Sequence, residues 1–362
     1  GVSWFWFTHL VFLVNLPSYA ANVIGAKDLA LFVLLMTPVA TLMLGALLCQ
    51  PASGRRVELG LVPLGALGMA VAGVDFYLNS PEAAPAAART LKELLDAPTY
   101  VRCLADLAVF GLSAGLYVVP LYALVQQSAP QDRLGRVLGG MMFYNLVFVS
   151  LALAGAQWLR SEGLSLEAVI LTAILLQSGV AIYIFLLLPE FLLRLLMWLL
   201  VHTIYRTEAT HLERVPTSGP AVIVCNHVSY MDPLVIGAKV RRPVRFVMHR
   251  YIFQIPVMKT VFRLAKAIPI VSGRKDPEGL QRAMDQVAAE LDAGRLVAIF
   301  PEGMLTRDGN IGIFRSGIER IIERNPVPVI PMGLSGLWGS FFSFYGGEPM
   351  QHAPRLKWSR IR

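Results

Sequence analysis

Six apolar stretches, roughly 3–22, 29–50, 59–79, 101–125, 137–159 and 166–188, constrain this chain more than any other feature. Each reaches the length of about 20 residues that a helix needs to cross the hydrocarbon of a bilayer. In hydrocarbon a backbone must satisfy its own hydrogen bonds, so the stretches are predicted to be six transmembrane helices. Composition agrees. The 362 residues are 55% hydrophobic and 15% charged, whereas soluble domains carry about a quarter charged residues.

The joints between the stretches carry an orientation signal. Arg55 and Arg56 lie in the second joint, and Arg133 and Arg136 in the fourth. The third joint, about 80–100, has three acids against two bases, and the fifth holds Glu162 with Arg160 at its edge. Arginine-rich joints stay on the cytoplasmic side, so joints two and four are predicted to be cytoplasmic. An even number of spans returns the chain there before residue 190. Asp75 and Asp106 fall in or near spans, where an acid is a functional candidate by default. The plainer reading is that Asp75 reaches water at its span end and that Arg102, four residues before Asp106, pairs with it along the helix.

After Pro189 comes an apolar run, 190–206, interrupted by Arg194 and His202. It is short for a span and suits an amphipathic helix lying in the membrane interface. A seventh span would place the remainder of the chain on the opposite side.

Residues 207–362 change character. Residues 201–362 hold 22 Lys and Arg against 13 Asp and Glu, whereas residues 1–200 hold 10 against 11. This basic excess suits an anionic surface or substrate, or a cytoplasmic domain obeying the charge rule. No basic-aromatic recognition motif points to nucleic acid. Short apolar runs at 221–225, 244–248, 268–271, 296–300 and 327–332 alternate with helical patterns, which argues an α/β domain. The clearest helix is 277–293, with Asp276 as cap, Pro277 in the first turn, Gly294 at the end, and Leu280, Met284, Val287 and Leu291 on its core face. Cys49, Cys103 and Cys225 are far apart, and the six histidines are scattered. No metal spacing results. The chain starts at Gly1 without the charged start and cleavage site of a signal peptide, and reads as an internal stretch of a longer protein.

The chemistry concentrates in Asn226-His227-Val228-Ser229-Tyr230-Met231-Asp232 and in Phe300-Pro301-Glu302-Gly303. A five-residue step rotates about 500° on a helix, about 140° past a full turn, so His227 and Asp232 would point apart. They meet only across a turn between strand and helix. Asp232-Pro233 is a plausible helix start, and Ser229 can brace the turn. With Asp232 on one ring nitrogen, the other is free to take a proton. Backbone N–H groups near the turn are expected to stabilise an oxyanion. Cys225, at the end of an apolar strand, reads as core.

His, four residues, Asp, and then Phe-Pro-Glu-Gly resemble the glycerophospholipid acyltransferase family, over about 193–344. The resemblance implies attack of a lysophospholipid hydroxyl on an acyl thioester, either acyl-CoA or acyl-ACP (acyl-carrier protein), with no bound cofactor and no metal. His227 would be the base and Asp232 its orienter. Glu302 and Gly303 would hold the acceptor, with Arg307 and Arg315 as phosphate contacts. Two departures stand out. The family's second block carries an arginine that Ala265-Lys266-Ala267-Ile268-Pro269-Ile270-Val271 lacks in register, with Arg274 later and Lys266 earlier. In the third block Met304 and Leu305 intervene before Thr306-Arg307. Both resemble the branch that acylates lysophosphatidylethanolamine, a repair reaction. A 1-acylglycerol-3-phosphate acyltransferase of phospholipid biosynthesis is the alternative.

Ser3-Trp4-Phe5-Trp6-Phe7 and Arg56-Val57-Glu58-Leu59-Gly60-Leu61-Val62-Pro63 resemble the second half of a lysophospholipid transporter of the major facilitator superfamily. This resemblance implies a fusion. An α-helical membrane domain of six transmembrane helices, half of a major facilitator fold, would span 1–189. An interfacial helix would follow at 190–206, and an α/β acyltransferase domain at 207–362, incomplete at its C-terminal end. It also implies partner segments elsewhere: the other transporter half and an acyl-activating domain. The setting would be a bacterial inner membrane with the acyltransferase domain in the cytoplasm, in contact with membrane lipids. A transporter or flippase with a lipid-binding cytoplasmic domain is the alternative of another class.

Overall fold

Long apolar sequence becomes long helix. The computed structural model describes all residues except 53–57, 82–87, 188, 241, 255, 352–359 and 362. Arg55, Arg56, Val57 and residues 82–87 of the third joint therefore lie outside the described residues. The chain divides into two compact units, Gly1–Leu188 and Pro189–Arg362.

The first unit is helical. It comprises α1 (Val2–Tyr19, continued by a π-turn Ala20–Ile24), α2 (Asp28–Ala52), α3 (Leu61–Leu78), α4 (Leu91–Leu95), α5 (Pro98–Ser128), α6 (Leu134–Ser161) and α7 (Leu166–Leu187). Among the described residues, six helices are long and apolar enough to cross a membrane, at the six places the sequence predicts. The short α4, in the third joint, opens with a capping box in which Thr90 N–H donates to Glu93 at 2.6 Å. Helices α2 and α5 approach closely, because Gly111 and Gly115 of α5 lie against the backbone of Pro38 and Leu42. Small residues at such contacts are how helices pack in a bilayer. Phe12 and Phe110 stack inside with ring centroids 4.5 Å apart, and Leu47, Ile182 and Leu186 face outward. Arg102 does not pair along its own helix with Asp106. It makes a two-pronged ion pair with Asp75 of α3, at 2.7 and 3.0 Å. A guanidinium fork matches a carboxylate facing it across two helices better than one a turn away.

The second unit opens with α8 (Pro189–Ile204) and β1 (Arg206–Thr207). It continues β2 (Ala221–Cys225), α9 (Asp232–Lys239), β3 (Val244–His249), α10 (Pro256–Leu264), β4 (Ile268–Ile270), α11 (Pro277–Asp292), β5 (Leu296–Ile299), α12 (Gly317–Arg324), β6 (Val329–Met332) and β7 (Arg360–Ile361). Five strands form one parallel sheet in the order β4-β3-β5-β2-β6; β1 and β7 pair separately. Parallel strands need crossovers, and the helices covering both faces explain why β2 and β5 are apolar throughout. Ala221, Ile223 and Cys225 pack on one face with Ile236 and Phe246. Val222 packs on the other with Val287 and Leu291 of α11. Helix α11 is capped as expected, Asp276 accepting from Gly279 N at 2.7 Å.

Helix α8 belongs to this second unit. Leu192, Leu195 and Val201 are buried, while Leu196, Leu199, Leu200 and Ile204 are exposed. Glu190 at its start pairs with Arg245 at 2.7 Å and with Lys266. Burial alone would raise the Glu190 carboxyl, but the Lys266 and Arg245 cations outweigh it and hold the group below its usual range.

Candidate active site

The central strands β2 and β5 are paired in register, Val224 opposite Ile299. Both therefore release the chain at the same edge of the sheet, and open α/β sheets bind ligands beyond the carboxyl ends of their strands. The His227 turn leaves β2 there. The Phe300–Gly303 turn leaves β5 beside it.

Residues 226–231 are not helical, and Asp232 opens α9. This is the turn that the five-residue spacing requires. His227 Nδ1 lies 2.9 Å from Asp232 Oδ2. Asp232 is fully buried, and the same oxygen accepts N–H groups from Val228 at 2.6 Å and Ser229 at 3.0 Å. Its place in the first turn of α9 adds the favourable end of the helix dipole. A buried acceptor-only carboxylate on Nδ1 fixes a proton there and leaves Nε2 as the basic nitrogen. Nε2 has no hydrogen-bond partner among the described residues, and the side chain is 16% exposed.

The second motif holds the histidine from three directions. The Phe300 ring stacks on the imidazole with centroids 4.0 Å apart and planes 15° apart. His227 N–H donates to Glu302 Oε1 at 2.8 Å, and His227 C=O accepts from Thr306 N–H at 2.8 Å. The other Glu302 oxygen accepts from Gly312 N–H at 2.8 Å. Glu302, expected to hold the acceptor, thus turns inward: it is 4% exposed and both oxygens are taken by backbone.

Gly303 has φ +69°, and a Cβ there would stand 3.0 Å from Arg315 Nε. Only glycine accepts both the left-handed backbone and the guanidinium laid across it. Arg315 is exposed, and its N–H donates to Pro301 C=O at 2.9 Å. Arg307 is exposed and lies over the Phe344 ring, 5.1 Å from its centroid. Neither guanidinium has a carboxylate partner among the described residues. Lys266, by contrast, is bound to Glu190, and Arg274 is exposed in the turn after β4.

The amides of the turn itself are engaged within the structure, so oxyanion donors would have to come from its surroundings. The N–H groups of His227, Val228 and Ser229 go to Glu302 and Asp232. Those of Tyr230, Met231 and Asp232 go to Phe342 C=O, Ser229 Oγ and Ser229 C=O. A turn that holds a buried carboxylate in place spends its donors doing so. Ser229 Oγ also bonds Ser340 Oγ at 3.3 Å, and burial, then the Asp232 charge, pushes the Cys225 thiol up to about 12. Neither is prepared as a nucleophile. Among the described residues no cluster of His, Cys, Asp and Glu has a metal-holding arrangement. Sequence reasoning assigned no role to Phe300's stacking or to Gly312. Gly312 lies ten residues from the carboxylate it bonds, at no recognisable spacing.

Residues 206–335 match the family model described as Acyltransferase. The chloroplastic 1-acyl-sn-glycerol-3-phosphate acyltransferase BAT2 of Brassica napus is 30% identical over 137 residues, 38% of this chain and 39% of that protein. Chloroplastic LPAT1 of Arabidopsis thaliana, of the same description, is 28% identical over 137 residues, 38% of this chain and 38% of that one. The 1-acyl-sn-glycerol-3-phosphate acyltransferase of Borreliella burgdorferi is 24% identical over 122 residues, 34% and 48% of the two chains. The chain thus spans about two fifths of the length of the first two relatives. The crystal structure of the 1-acyl-sn-glycerophosphate acyltransferase PlsC from Thermotoga maritima aligns at TM-score 0.35 and 20% identity. The alignment covers 48% of this chain and 66% of that one. The α/β unit carries an acyltransferase-type domain.

Proposed function

We propose that this chain transfers an acyl group from a coenzyme A or acyl-carrier-protein thioester to the free hydroxyl of a 1-acylglycerol-3-phosphate-type lysophospholipid. The observation that carries the reading is the His227–Asp232 pair with Nε2 open; the loop after Gly303 adds Arg307 and Arg315, which have no carboxylate partner among the described residues. Nε2 takes the proton of the acceptor hydroxyl as its oxygen attacks the thioester carbonyl. The tetrahedral intermediate collapses, the C–S bond breaks, and the imidazolium returns the proton to the leaving thiolate. Asp232 stabilises the imidazolium and keeps its orientation. A positioned base of this kind contributes about 10²–10⁴-fold. No acyl-enzyme is needed. Arg307 and Arg315 take the acceptor phosphate, and Gly303 lets Arg315 reach it.

The named relatives favour the phosphate-monoester acceptor. Lysophosphatidylethanolamine is the second reading. It is favoured by the missing arginine at 265–271 and by the engagement of Lys266 with Glu190, since a phosphodiester carries less charge to neutralise. The amphipathic α8 would lie on the leaflet, with Leu196, Leu199, Leu200 and Ile204 toward lipid. The helical unit, as half of a lysophospholipid-transporter-like fold in a bacterial inner membrane, would supply acceptor to a cytoplasmic site.

The test is acyl transfer by the full chain in membranes, with labelled 1-acylglycerol-3-phosphate and lysophosphatidylethanolamine in parallel and both thioester donors. Product lost in His227→Ala supports the reading, and the preferred acceptor separates its two forms. Lysolipid movement that survives His227→Ala, with no product from either acceptor, would favour a transporter with a lipid-binding domain.

A further inference from the structure

Between Gly303 and Ser316 the chain leaves the site and returns, and four apolar side chains on this loop stand in solvent. Met304 is 57% exposed, Ile311 67%, Ile313 92% and Phe314 54%. Single apolar residues on a surface need no explanation, whereas a concentrated group marks a contact surface. The loop is braced. Thr306 Oγ donates to Asp308 at 2.9 Å, and Asn310 N–H donates to the same Asp308 oxygen at 3.0 Å. Gly312 is tied to Glu302, and Arg315 N–H to Pro301 C=O. The bracing holds the apolar tips away from the core.

The surroundings say what would cover them. Arg307, between Met304 and Ile311 along the loop, and Arg315, directly after Phe314, have no carboxylate partners among the described residues. Apolar tips interspersed with arginines suit the boundary between anionic headgroups and acyl chains. Six helices of membrane-crossing length lie on the same chain, so a bilayer is always within its reach. We infer that the 304–315 loop inserts Met304, Ile311, Ile313 and Phe314 into the leaflet, with Arg307 and Arg315 at the phosphates. An acceptor lipid then reaches His227 without leaving the membrane. This last consequence rests on the proposed acyl transfer; the insertion itself does not.

The test places a spin label at Ile313→Cys, with Gln281→Cys on the exposed face of α11 as the aqueous control. The native Cys49, Cys103 and Cys225 are buried, so the label goes where it is sent. The full chain is studied in phosphatidylethanolamine–phosphatidylglycerol vesicles with oxygen and a water-soluble nickel chelate as relaxing agents. Insertion predicts that oxygen access exceeds chelate access at 313, with the reverse at 281. Chelate access at 313 equal to that at 281 overturns the inference. So does shielding from both reagents, which would mean a protein contact. In the same vesicles, the combined variant Ile311→Ser, Ile313→Ser, Phe314→Ser should lose transfer to a long-chain bilayer acceptor and keep transfer to a short-chain soluble one. An inserted loop in a chain inactive on every acceptor would refute the function and leave the insertion standing. An active chain with an aqueous loop would do the opposite.

Discussion

Glu302→Gln separates two roles for one carboxylate. Each Glu302 oxygen accepts a backbone N–H at 2.8 Å, one from His227 and one from Gly312. The amide has nearly the same shape, keeps one acceptor oxygen, and turns an NH₂ toward the other N–H. One charge-assisted hydrogen bond is lost, about 1.5–3 kcal/mol. A folded chain with about 5–15 kcal/mol of stability survives that. The consequence falls on His227, whose backbone the carboxylate holds. A misplacement of about 1 Å near a reacting group lowers its rate about 10²-fold. The expected result is a kcat reduced about 10²-fold with little change in acceptor KM, because the carboxylate touches backbone rather than lipid. Steady-state transfer by the full chain in membranes, with acceptor varied, reads both constants, and thermal unfolding checks that the variant is folded. If acceptor KM rises while kcat holds, Glu302 binds the acceptor as the motif resemblance implies, and the positioning argument is refuted.

Asp232→Asn should lower kcat roughly 10³–10⁴-fold, since an amide no longer fixes the Nδ1 proton or stabilises the imidazolium; circular dichroism would establish that the turn still folds. Arg315→Gln should raise the KM for a phosphate-monoester acceptor about ten- to a hundredfold, the value of one charged hydrogen bond. Equal effects on neutral and charged acceptors would remove Arg315 from the phosphate. Glu190 has its folded carboxyl depressed below the ordinary 4.5. The unfolded chain then binds the proton more readily, so this group's stabilisation is complete above pH 4.5 and is lost as pH falls toward the folded value. Acid titration of unfolding should be shallower in that window for Glu190→Gln than for the parent chain.

Much of this molecule is local in sequence. Membrane-length helices follow from unbroken apolar length, and the strands from short apolar runs between turn residues. The cap Asp276 and the His227–Asp232 turn follow from chain geometry within a few residues. Other features are not local. Arg102 has Asp106 one turn away and yet pairs with Asp75 on another helix, a choice made by packing. The junction run 190–206 reads as a separate element, and it joins the α/β unit because Glu190 finds Arg245 and Lys266 there.

The candidate site divides the same way. The sequence by itself paired His227 with Asp232, because five residues and a helix start leave them one way to meet; the structure put Nδ1 on the carboxylate and left Nε2 open. Only the tertiary structure decided that Glu302 faces inward, that Phe300 backs the imidazole, that Gly312 completes the carboxylate's bonds, and that the turn's amides are all engaged. Glu302 lies 75 residues from His227 along the chain, and Gly312 ten beyond Glu302. They meet because β2 and β5 pair in register and end together, and strand pairing is a property of the whole sheet that no local stretch records.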